Sequence, residues 1–284
     1  MTIAEERSET VAGRVRPRLD GVPETLLWTL WNRACEARLP DTVLDDPMAV
    51  RLVEEIDYPF EERLGPPHPL FSQIQGLRSL RFDQAVREYV ADHPYATVVA
   101  LGEGLETGFW RTDNGRMQWL SVDLPEAAAL RSRLLPPNPR HHVVACSATD
   151  LSWLDRVRDL DNGVIVTAQG LFMYLRPGEV RSVLAACAER LPGGSFVLDS
   201  LPRWVTKAAR RGRLRIGDLP IPPMHWAMAA DERYKLRGVH PAIGEVRALT
   251  MPQGRGRVGK LIERQHRIPV FRSISPAVTQ VWFR

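Results

Sequence analysis

The stretch Thr97-Val-Val-Ala-Leu-Gly-Glu-Gly-Leu-Glu-Thr107 decides the fold. Its aliphatic residues, Val98 to Leu101, predict a short strand that is buried on both faces, as in a parallel sheet. Gly102 and Gly104 predict a sharp turn at the end of this strand, where the backbone can approach a ligand closely. On its own the pattern fits a dinucleotide, a phosphate group, another adenosine cofactor or a simple turn. The residues that follow decide among these.

Strand and helix patterns alternate from this stretch onward. Strands are predicted at residues 97–101, 117–122, 142–146, 164–168, 195–199, 258–266 and 277–283. Helices are predicted at residues 22–38, 48–55, 76–92, 107–112, 125–135, 152–160, 177–190 and 202–215. This rhythm is typical of an α/β fold with βαβ units and a mostly parallel sheet. We predict a flexible tail at 1–21 and one domain at 22–284, with a helical cap (22–92), a Rossmann core (97–200), a substrate lid (201–256) and C-terminal strands (257–284).

Composition narrows the class of protein. The 284 residues are 44% hydrophobic and 25% charged, as in ordinary globular proteins. No apolar run approaches the roughly 18 residues of a membrane span, and the polar N-terminus lacks a secretory signal, so we expect a cytoplasmic protein. The three cysteines, Cys35, Cys146 and Cys187, are scattered, which argues against a metal site or disulfides. The net charge of +4 comes with basic clusters that favour a solvated surface, so we expect no nucleic-acid partner.

Polar residues stand at the predicted strand ends, where open α/β sheets bind ligands. Asp123 lies 21 residues after Gly102 and is placed to accept hydrogen bonds from the hydroxyls of a ribose. The third strand ends in Ser147-Ala-Thr-Asp150 and the fourth in Gln169-Gly170. These residues are expected to form one ligand pocket around the glycine turn.

The residues after the turn argue against a diphosphate cofactor. A dinucleotide site would want a glycine at position 107, which is Thr, and the P-loop lysine is missing. Glu103 and Glu106 place negative charge where phosphates would sit. This arrangement suits S-adenosylmethionine, which carries a sulfonium and an amine.

Several longer motifs together resemble the leucine carboxyl methyltransferase family, and within it the bacterial branch of polyketide O-methyltransferases. The resemblance covers roughly residues 22–283. It rests on the stretches 98–107, 109–111, 119–126, 146–150 and 169–175, with Asp46-Pro47, Ile56-Asp-Tyr58 and Arg78-Ser-Leu-Arg-Phe-Asp83 before them. It implies a Rossmann-like class I methyltransferase with a seven-stranded, mostly parallel sheet covered by helices on both faces, N-terminal helices and a lid after the fifth strand.

The resemblance also implies a site for S-adenosylmethionine. Its residues would be Arg78, Gly102, Glu103, Gly104, Asp123, Leu124, Thr149, Asp150, Gln169 and Gly170. In this arrangement Asp123 holds the ribose, Thr149 and Asp150 edge the adenine, and Arg78 meets the carboxylate. Arg33 is a further candidate contact. Gln169 stands where the family usually has Glu, and Glu106 where it has Asp, so we expect weaker cofactor binding.

The acceptor is expected to be a carboxyl or hydroxyl group of a small, polyketide-like molecule. A hydroxyl acceptor would need a base, for which His225 is the first candidate and His240 the second. Tyr174 would face the substrate, while Met224, Trp226 and Met228 either wall an apolar pocket or pack the lid. His141 and His142 are expected to be structural. A non-methylating reaction such as cyclisation and a protein carboxyl acceptor remain alternatives, and the protein could be a monomer or a homodimer.

Overall fold

The structure, a computed structural model, describes residues 10–11, 13–19, 21–267 and 276–284. Its α-helices are α1 (Thr25–Ala37), α2 (Pro47–Glu55), α3 (Phe60–Leu64), α4 (Pro69–Asp92), α5 (Gly108–Thr112), α6 (Pro125–Leu134), α7 (Pro177–Arg190), α8 (Arg203–Arg210) and α9 (Gly256–Arg267). Its strands are β1 (Thr10–Val11), β2 (Arg14–Val15), β3 (Thr97–Leu101), β4 (Gln118–Asp123), β5 (His141–Ala145), β6 (Val164–Ala168), β7 (Ser195–Ser200), β8 (Arg215–Ile216), β9 (Leu219–Pro220), β10 (Ile243–Leu249) and β11 (Ala277–Phe283). None of the helices in these ranges is long and apolar enough to cross a membrane.

Seven strands form the central sheet, in the order β10-β11-β7-β6-β3-β4-β5. Strands β3 to β7 are parallel, whereas β11 runs antiparallel to both β7 and β10. The predicted seven-stranded, mostly parallel sheet is therefore confirmed. Because β3 lies in the middle of the five parallel strands, the glycine turn that follows it opens at the centre of the ligand-binding edge.

The predicted strand at 258–266 was wrong, because these residues belong to helix α9. Val258, Leu261 and Ile262 recur at three- and four-residue steps, which is helical spacing. The seventh strand is β10, which lies inside the segment predicted as a lid and pairs with β11 along its length.

The boundaries of three other elements also differ from those predicted from the sequence. The helix predicted at 152–160 is replaced by two 3₁₀ helices, Leu151–Arg156 and Leu160–Asn162, since Asp159 between them adopts the left-handed conformation (φ 52°). Helix α4 begins seven residues earlier than predicted, with Pro69 in its first turn, where proline is tolerated. Helix α8 ends at Arg210 rather than at 215.

The sheet is covered on both faces by apolar packing. All five residues of β3 are buried, and successive side chains point to opposite faces. Val99 and Leu101 pack in the cluster that includes α7, whereas Val98 and Ala100 pack in the cluster that includes α4 and α5. This double coverage fixes where β3 ends and so where the turn begins.

Helices α1, α2, α3 and α6 share a separate apolar cluster beside the sheet. Helix α1 packs against α2 and α4. Of the predicted tail, residues 1–9, 12 and 20 lie outside the described residues. Strand β2 approaches this helical region, where Val15 bridges to Ile56 and Arg16 pairs with Asp57 at 3.0 Å.

The hairpin β8–β9 ties the segment after β7 to helix α3. Leu219 is buried in the apolar cluster that α1, α2, α3 and α6 share. The Asp218 N–H donates to the carbonyl oxygen of Arg63 at 2.9 Å. Gly217, at φ 54°, makes this approach possible, because a Cβ there would lie 2.3 Å from the same carbonyl oxygen.

A Gly217→Ala variant should therefore lose stability through both strain and collision. The left-handed conformation costs about 1–2 kcal/mol for a residue with a Cβ, and the collision with backbone atoms adds about 1–3 kcal/mol. Gly212→Ala is the matched control, since Gly212 has φ 63° and nothing within 4 Å of the added Cβ. Denaturant unfolding of both variants measures the difference. Equal losses of stability in the two variants would show that the collision with the Arg63 carbonyl oxygen adds no cost beyond the strain of the left-handed backbone.

Candidate functional site

A cavity of about 240 Å³ opens at the carboxyl ends of β3, β4 and β6. Its floor is formed by the segments that follow these strands, with Ser147 and Ala148 from the end of β5. Helix α4 contributes Arg78, and residues 22–29, at the start of α1, form the opposite wall. Most of the predicted cofactor residues line this cavity: Arg78, Gly102, Glu103, Gly104, Asp123, Leu124, Gln169 and Gly170.

The glycine turn is as tight as its sequence predicts. Gly102 and Gly104 have φ values of 61° and 55°, a region that residues with a Cβ rarely adopt. A Cβ on Gly102 would lie 2.9 Å from Leu171, and one on Gly104 would lie 3.0 Å from Leu26. The turn therefore brings bare backbone to the cavity between two leucines.

Asp123, the last residue of β4, holds the glycine turn that follows β3. Its carboxylate accepts the Gly104 N–H at 2.6 Å and the Leu124 N–H at 2.8 Å. Burial raises the pKa of Asp123 above its usual value, although both N–H groups and Arg131 lower it. A carboxylate has about four acceptor positions, so acceptor capacity remains for hydroxyl groups of a ligand.

Glu103 was expected to place negative charge where phosphates would sit, but the structure gives it a cationic partner. Its carboxylate pairs with Arg131 at 3.0 Å, accepts the Trp119 indole N–H at 3.2 Å, and accepts the Ser121 hydroxyl. Ser121 also contacts His141 Nε2 at 2.7 Å. Burial, together with Arg131, lowers the pKa of His141 to about 3, so this histidine is neutral. Glu103 is thus anchored behind the turn by side chains of β4 and α6.

Glu106 lies at the cavity in a buried network of charges. Its Oε2 atom meets Arg33 at 3.0 Å and Arg111 at 3.1 Å, and its Oε1 atom accepts the Ser79 hydroxyl at 2.8 Å. Burial alone would raise the pKa of Glu106, but the two arginines lower it to about 2. Glu106 is therefore a fixed anion whose charge is bound by this network.

Two more carboxylates complete the network. Asp46 contacts Arg33 at 2.7 Å and Arg111 at 2.8 Å, and Asp83 binds Arg111 through two bonds of 2.7 and 3.0 Å. Arg33, proposed from the sequence as a cofactor contact, is instead fully buried and is not among the cavity-lining residues. The Thr107 hydroxyl donates to Asp46 at 2.7 Å, which gives this threonine a structural role in place of the dinucleotide glycine.

Two strand ends meet at Gly170. Its N–H donates to Asp199 Oδ1 at 2.8 Å, and Asp199 Oδ2 pairs with Arg78 Nη1 at 3.2 Å. Gln169 Nε2 donates to Glu106 Oε1 at 2.8 Å and to Ser79 at 3.1 Å. Asp199 does not itself line the cavity, but it holds Gly170 and Arg78, which do. It was not named as a site residue from the sequence, although it is the last residue of a predicted strand, where ligand-site residues are expected.

Thr149 and Asp150 are not among the residues that line the cavity. The Thr149 hydroxyl bonds to that of Ser147 at 2.8 Å, while Asp150 is exposed and accepts the Ser152 N–H at 3.1 Å. In this structure Ser147 and Ala148 are the residues of this segment that reach the cavity.

Part of the cavity lining is apolar. Tyr174 lines it together with Leu171, Leu175, Val22 and Pro23. Burial raises the pKa of Tyr174, whose side chain also bonds to that of Thr25. At neutral pH the phenol is therefore protonated and can donate a hydrogen bond.

The two histidines predicted as bases lie elsewhere. His225 is exposed, and its backbone N–H donates to the carbonyl oxygen of Met173 at 2.7 Å. The His240 Nδ1 atom accepts the Ala242 N–H at 3.2 Å. Neither lines the cavity, because the segment after β7 folds against the 3₁₀ helix Phe172–Tyr174 and the sheet.

The apolar residues of this segment pack against the rest of the chain and do not line the cavity. Met224 is buried with Met173 and Ala209, and Trp226 lies edge-on to Phe172 with ring centroids 5.8 Å apart. Met228 is buried in the cluster that covers one face of the sheet. Of the two interpretations left open for these three side chains, the contacts therefore favour lid packing.

Comparison with known proteins places the chain in a family. The sequence model for leucine carboxyl methyltransferase matches residues 27–188. The tetracenomycin polyketide synthesis O-methyltransferase TcmP of Streptomyces glaucescens is 34% identical over 198 residues, which cover 69% of this chain and 72% of TcmP. The S-adenosyl-L-methionine-dependent methyltransferase dpfgK of Gibberella zeae is 28% identical over 180 residues, covering 58% of this chain and 60% of dpfgK.

The fold agrees with these matches. A crystal structure from Thermobifida fusca, provisionally assigned as a methyltransferase, superposes with a TM-score of 0.56 at 17% identity and covers 89% of this chain and 94% of its own. The chain belongs to the leucine carboxyl methyltransferase family of S-adenosylmethionine-dependent methyltransferases.

Proposed function

We propose that this protein transfers a methyl group from S-adenosylmethionine to a carboxylate oxygen of a small, largely apolar molecule. The observation that carries the choice of acceptor is that no histidine is among the described residues that line the cavity, and that the carboxylates there are held by other groups of the chain. A carboxylate is already ionised at neutral pH and needs no base, whereas a hydroxyl acceptor would.

The ionisable groups in this lining are already engaged by other groups of the chain, although burial raises the pKa of Glu103 and that of Asp123 above their usual values. Glu106 has a pKa of about 2 and is bound by two arginines, and Glu103 is paired with Arg131. Asp123 is engaged by two backbone N–H groups, Tyr174 is protonated, and Arg78 is a cation. The chain therefore offers donors and fixed charges to an acceptor that arrives as an anion.

Three features of the cavity support S-adenosylmethionine as the cofactor. The glycine turn leaves space that a Cβ would fill, and Asp123 beside it keeps acceptor capacity for ribose hydroxyls. Arg78 has a buried Nε atom without a hydrogen-bond partner and is placed to hold a carboxylate. When bound, the cofactor would supply an electrophilic methyl group on a sulfonium.

The chain's own contribution to such a transfer is alignment. Methyl transfer is an in-line displacement, and orientation of the two partners can supply up to about 7–11 kcal/mol of the barrier in the best cases. Residues 22–29 and 171–175 form the apolar walls that would hold the acceptor and exclude water. The Tyr174 hydroxyl could donate to the carboxylate oxygen that is not methylated. The O-methyltransferase activity in the name of TcmP supports a polyketide-like acceptor.

The test is a matched pair of acceptors on one polycyclic aromatic ring system, one with a carboxyl and one with a phenol. With the carboxylic acid we expect a methyl ester and one S-adenosylhomocysteine per turnover. We also expect a kcat/KM that stays flat from about pH 6 to 9, because the acid is ionised throughout this range. Methylation of the phenol alone, with a rate that rises as a base deprotonates, would contradict the proposal. Tight cofactor binding without any S-adenosylhomocysteine formation would instead favour a non-methylating reaction.

A further inference from the structure

Positive charge is concentrated on one segment of the surface, helix α8 and the turn that follows it. Residues 201–217 contain no acidic side chain and six cationic ones, all of them exposed: Arg203, Lys207, Arg210, Arg211, Arg213 and Arg215. We call these six side chains the basic face. The whole chain has a net charge of +4, so the other residues together sum to −2. A surface that only needs to be soluble intersperses both signs of charge, and this one does not.

Most of the basic face has no carboxylate partner. Arg203 contacts Glu232 at 2.7 Å, and Arg215 donates to the backbone carbonyl oxygen of Asp218 at 2.5 Å. Among the residues that the structure describes, the remaining four form no ion pair: Lys207, Arg210, Arg211 and Arg213. Because like charges held close together repel one another, an anionic partner would relieve a repulsion that the fold itself leaves in place.

The cations of α8 form a row beside an exposed tryptophan. Arg203, Lys207 and Arg210 recur at steps of four and three residues, so they lie on one side of the helix. Trp204, which is 57% exposed, stands next to this row. The opposite side of the helix faces the protein, where Ala209 is buried.

The inner side of α8 packs next to the cavity. Val205 and Ala209 share an apolar cluster with Met173 and Tyr174. Tyr174 also lines the cavity. The basic face is therefore separated from one wall of the cavity by a single layer of side chains.

We infer that the basic face docks an acidic helix of a partner protein beside the cavity. Carboxylates that repeat every three and four residues along such a helix would oppose the row of Arg203, Lys207 and Arg210. The partner would also cover Trp204, and tryptophan and arginine are among the residue types that most often carry the binding energy of protein interfaces. This inference does not rest on the proposed methyl transfer.

Two other anionic partners fit the basic face less well. Helices that lie on membranes bind through the apolar area that they bury. The apolar side of α8 is packed inside the fold, so that only Trp204 would reach the lipid. Single-stranded nucleic acids stack successive bases on several aromatic side chains, and α8 offers one.

The test uses a dye-labelled synthetic peptide of about 20 residues, which is long enough to form a helix in water. Its glutamates lie on one side at three- and four-residue steps, and a scrambled peptide of the same composition is the comparison. In fluorescence anisotropy at low salt, the ordered peptide should bind at least about 5-fold more tightly than the scrambled one. Lys207→Glu with Arg210→Glu should weaken the ordered peptide about 10- to 100-fold, because two attractions become repulsions.

Arg257→Glu with Lys260→Glu is the matched control, since it makes the same change of charge on two exposed residues of α9. It should bind the ordered peptide within about 3-fold of wild type, because screening weakens the effect of distant charges. Equal affinity for the ordered and scrambled peptides would overturn the inference, and so would equal losses in the two double variants.

Vesicles of phosphatidylglycerol and a single-stranded oligonucleotide complete the test as competing anionic surfaces. We expect both to bind more weakly than the ordered peptide under the same conditions. If either binds more tightly and loses that binding in Lys207→Glu with Arg210→Glu, the basic face serves that anion and the docking of a protein is wrong.

Discussion

An Arg111→Met variant is expected to unfold with a free energy about 3–5 kcal/mol below that of the wild-type protein. The Arg111 guanidinium contacts Asp46, Asp83 and Glu106 together, and its side chain is only 8% exposed. Methionine fills much of the same volume but leaves Asp83 buried without its bidentate partner. The loss measures the cost of an uncompensated buried charge rather than the energy of one contact.

The loss of stability in Arg111→Met should depend on pH. Burial raises the pKa of Asp83 even with Arg111 present, and removal of the guanidinium would raise it further. When the pKa of a carboxyl group is higher in the folded state than in the unfolded state, the protein becomes less stable as the pH rises and the group ionises. The difference between variant and wild type should therefore be largest at neutral pH and shrink as the pH falls toward about 4, the ordinary range of an aspartate.

Denaturant unfolding at pH 7 and pH 4.5 would check both statements. Arg190→Met is the matched control, because Arg190 also pairs with an aspartate, Asp155, but both side chains are exposed (44% and 67%). A surface pair of this kind contributes about 0–1 kcal/mol. If the free energy of unfolding of Arg111→Met lies within about 1 kcal/mol of that of this control, the buried network contributes no more to stability than a surface ion pair does.

The charge network around Arg111 is the part of the candidate site that could not be predicted from the sequence. Arg111 lies 65 residues from Asp46 and 28 from Asp83, and the partners sit on separate elements. No local pattern signals such a cluster, because its geometry exists only after α1, α2, α4 and α5 have packed. The glycine turn and Asp123, by contrast, follow from neighbouring residues: a buried strand, the conformational freedom of glycine and a strand-end carboxylate.

The segment after β7 was the least predictable part of the fold. The stretch 258–266 is short and holds only three aliphatic residues, and the strand prediction overlooked that these follow helical spacing. Strand β10 is half-exposed and mixed in character, and its pairing with β11 decides its conformation. His225 was chosen as a base because this segment was expected to cover the cavity. The segment packs on the outside of Tyr174 instead, and residues 22–29 supply the wall.

An Asp123→Ala variant is expected to lose most of its affinity for the cofactor. A hydrogen bond to a charged group contributes about 1.5–3 kcal/mol, so loss of two ribose contacts predicts affinity weaker by about 10²- to 10⁴-fold. The variant also frees the Gly104 N–H that the carboxylate holds at 2.6 Å, which loosens the turn. Because every adenosine ligand carries the ribose, the binding of S-adenosylhomocysteine and that of 5′-methylthioadenosine, which lacks the amino-acid end, should weaken together.

Calorimetry on the wild-type protein and three variants would test this expectation. Asp123→Asn keeps the shape and one acceptor oxygen but not the charge, so its affinity should fall between wild type and Asp123→Ala. Asp113→Ala is the control, since Asp113 pairs with Arg140 ahead of β4 and does not line the cavity. It should bind both ligands within about 2-fold of wild type. Retained affinity in Asp123→Ala would show that the carboxylate only shapes the turn, and that the ribose is held by other groups at the strand ends.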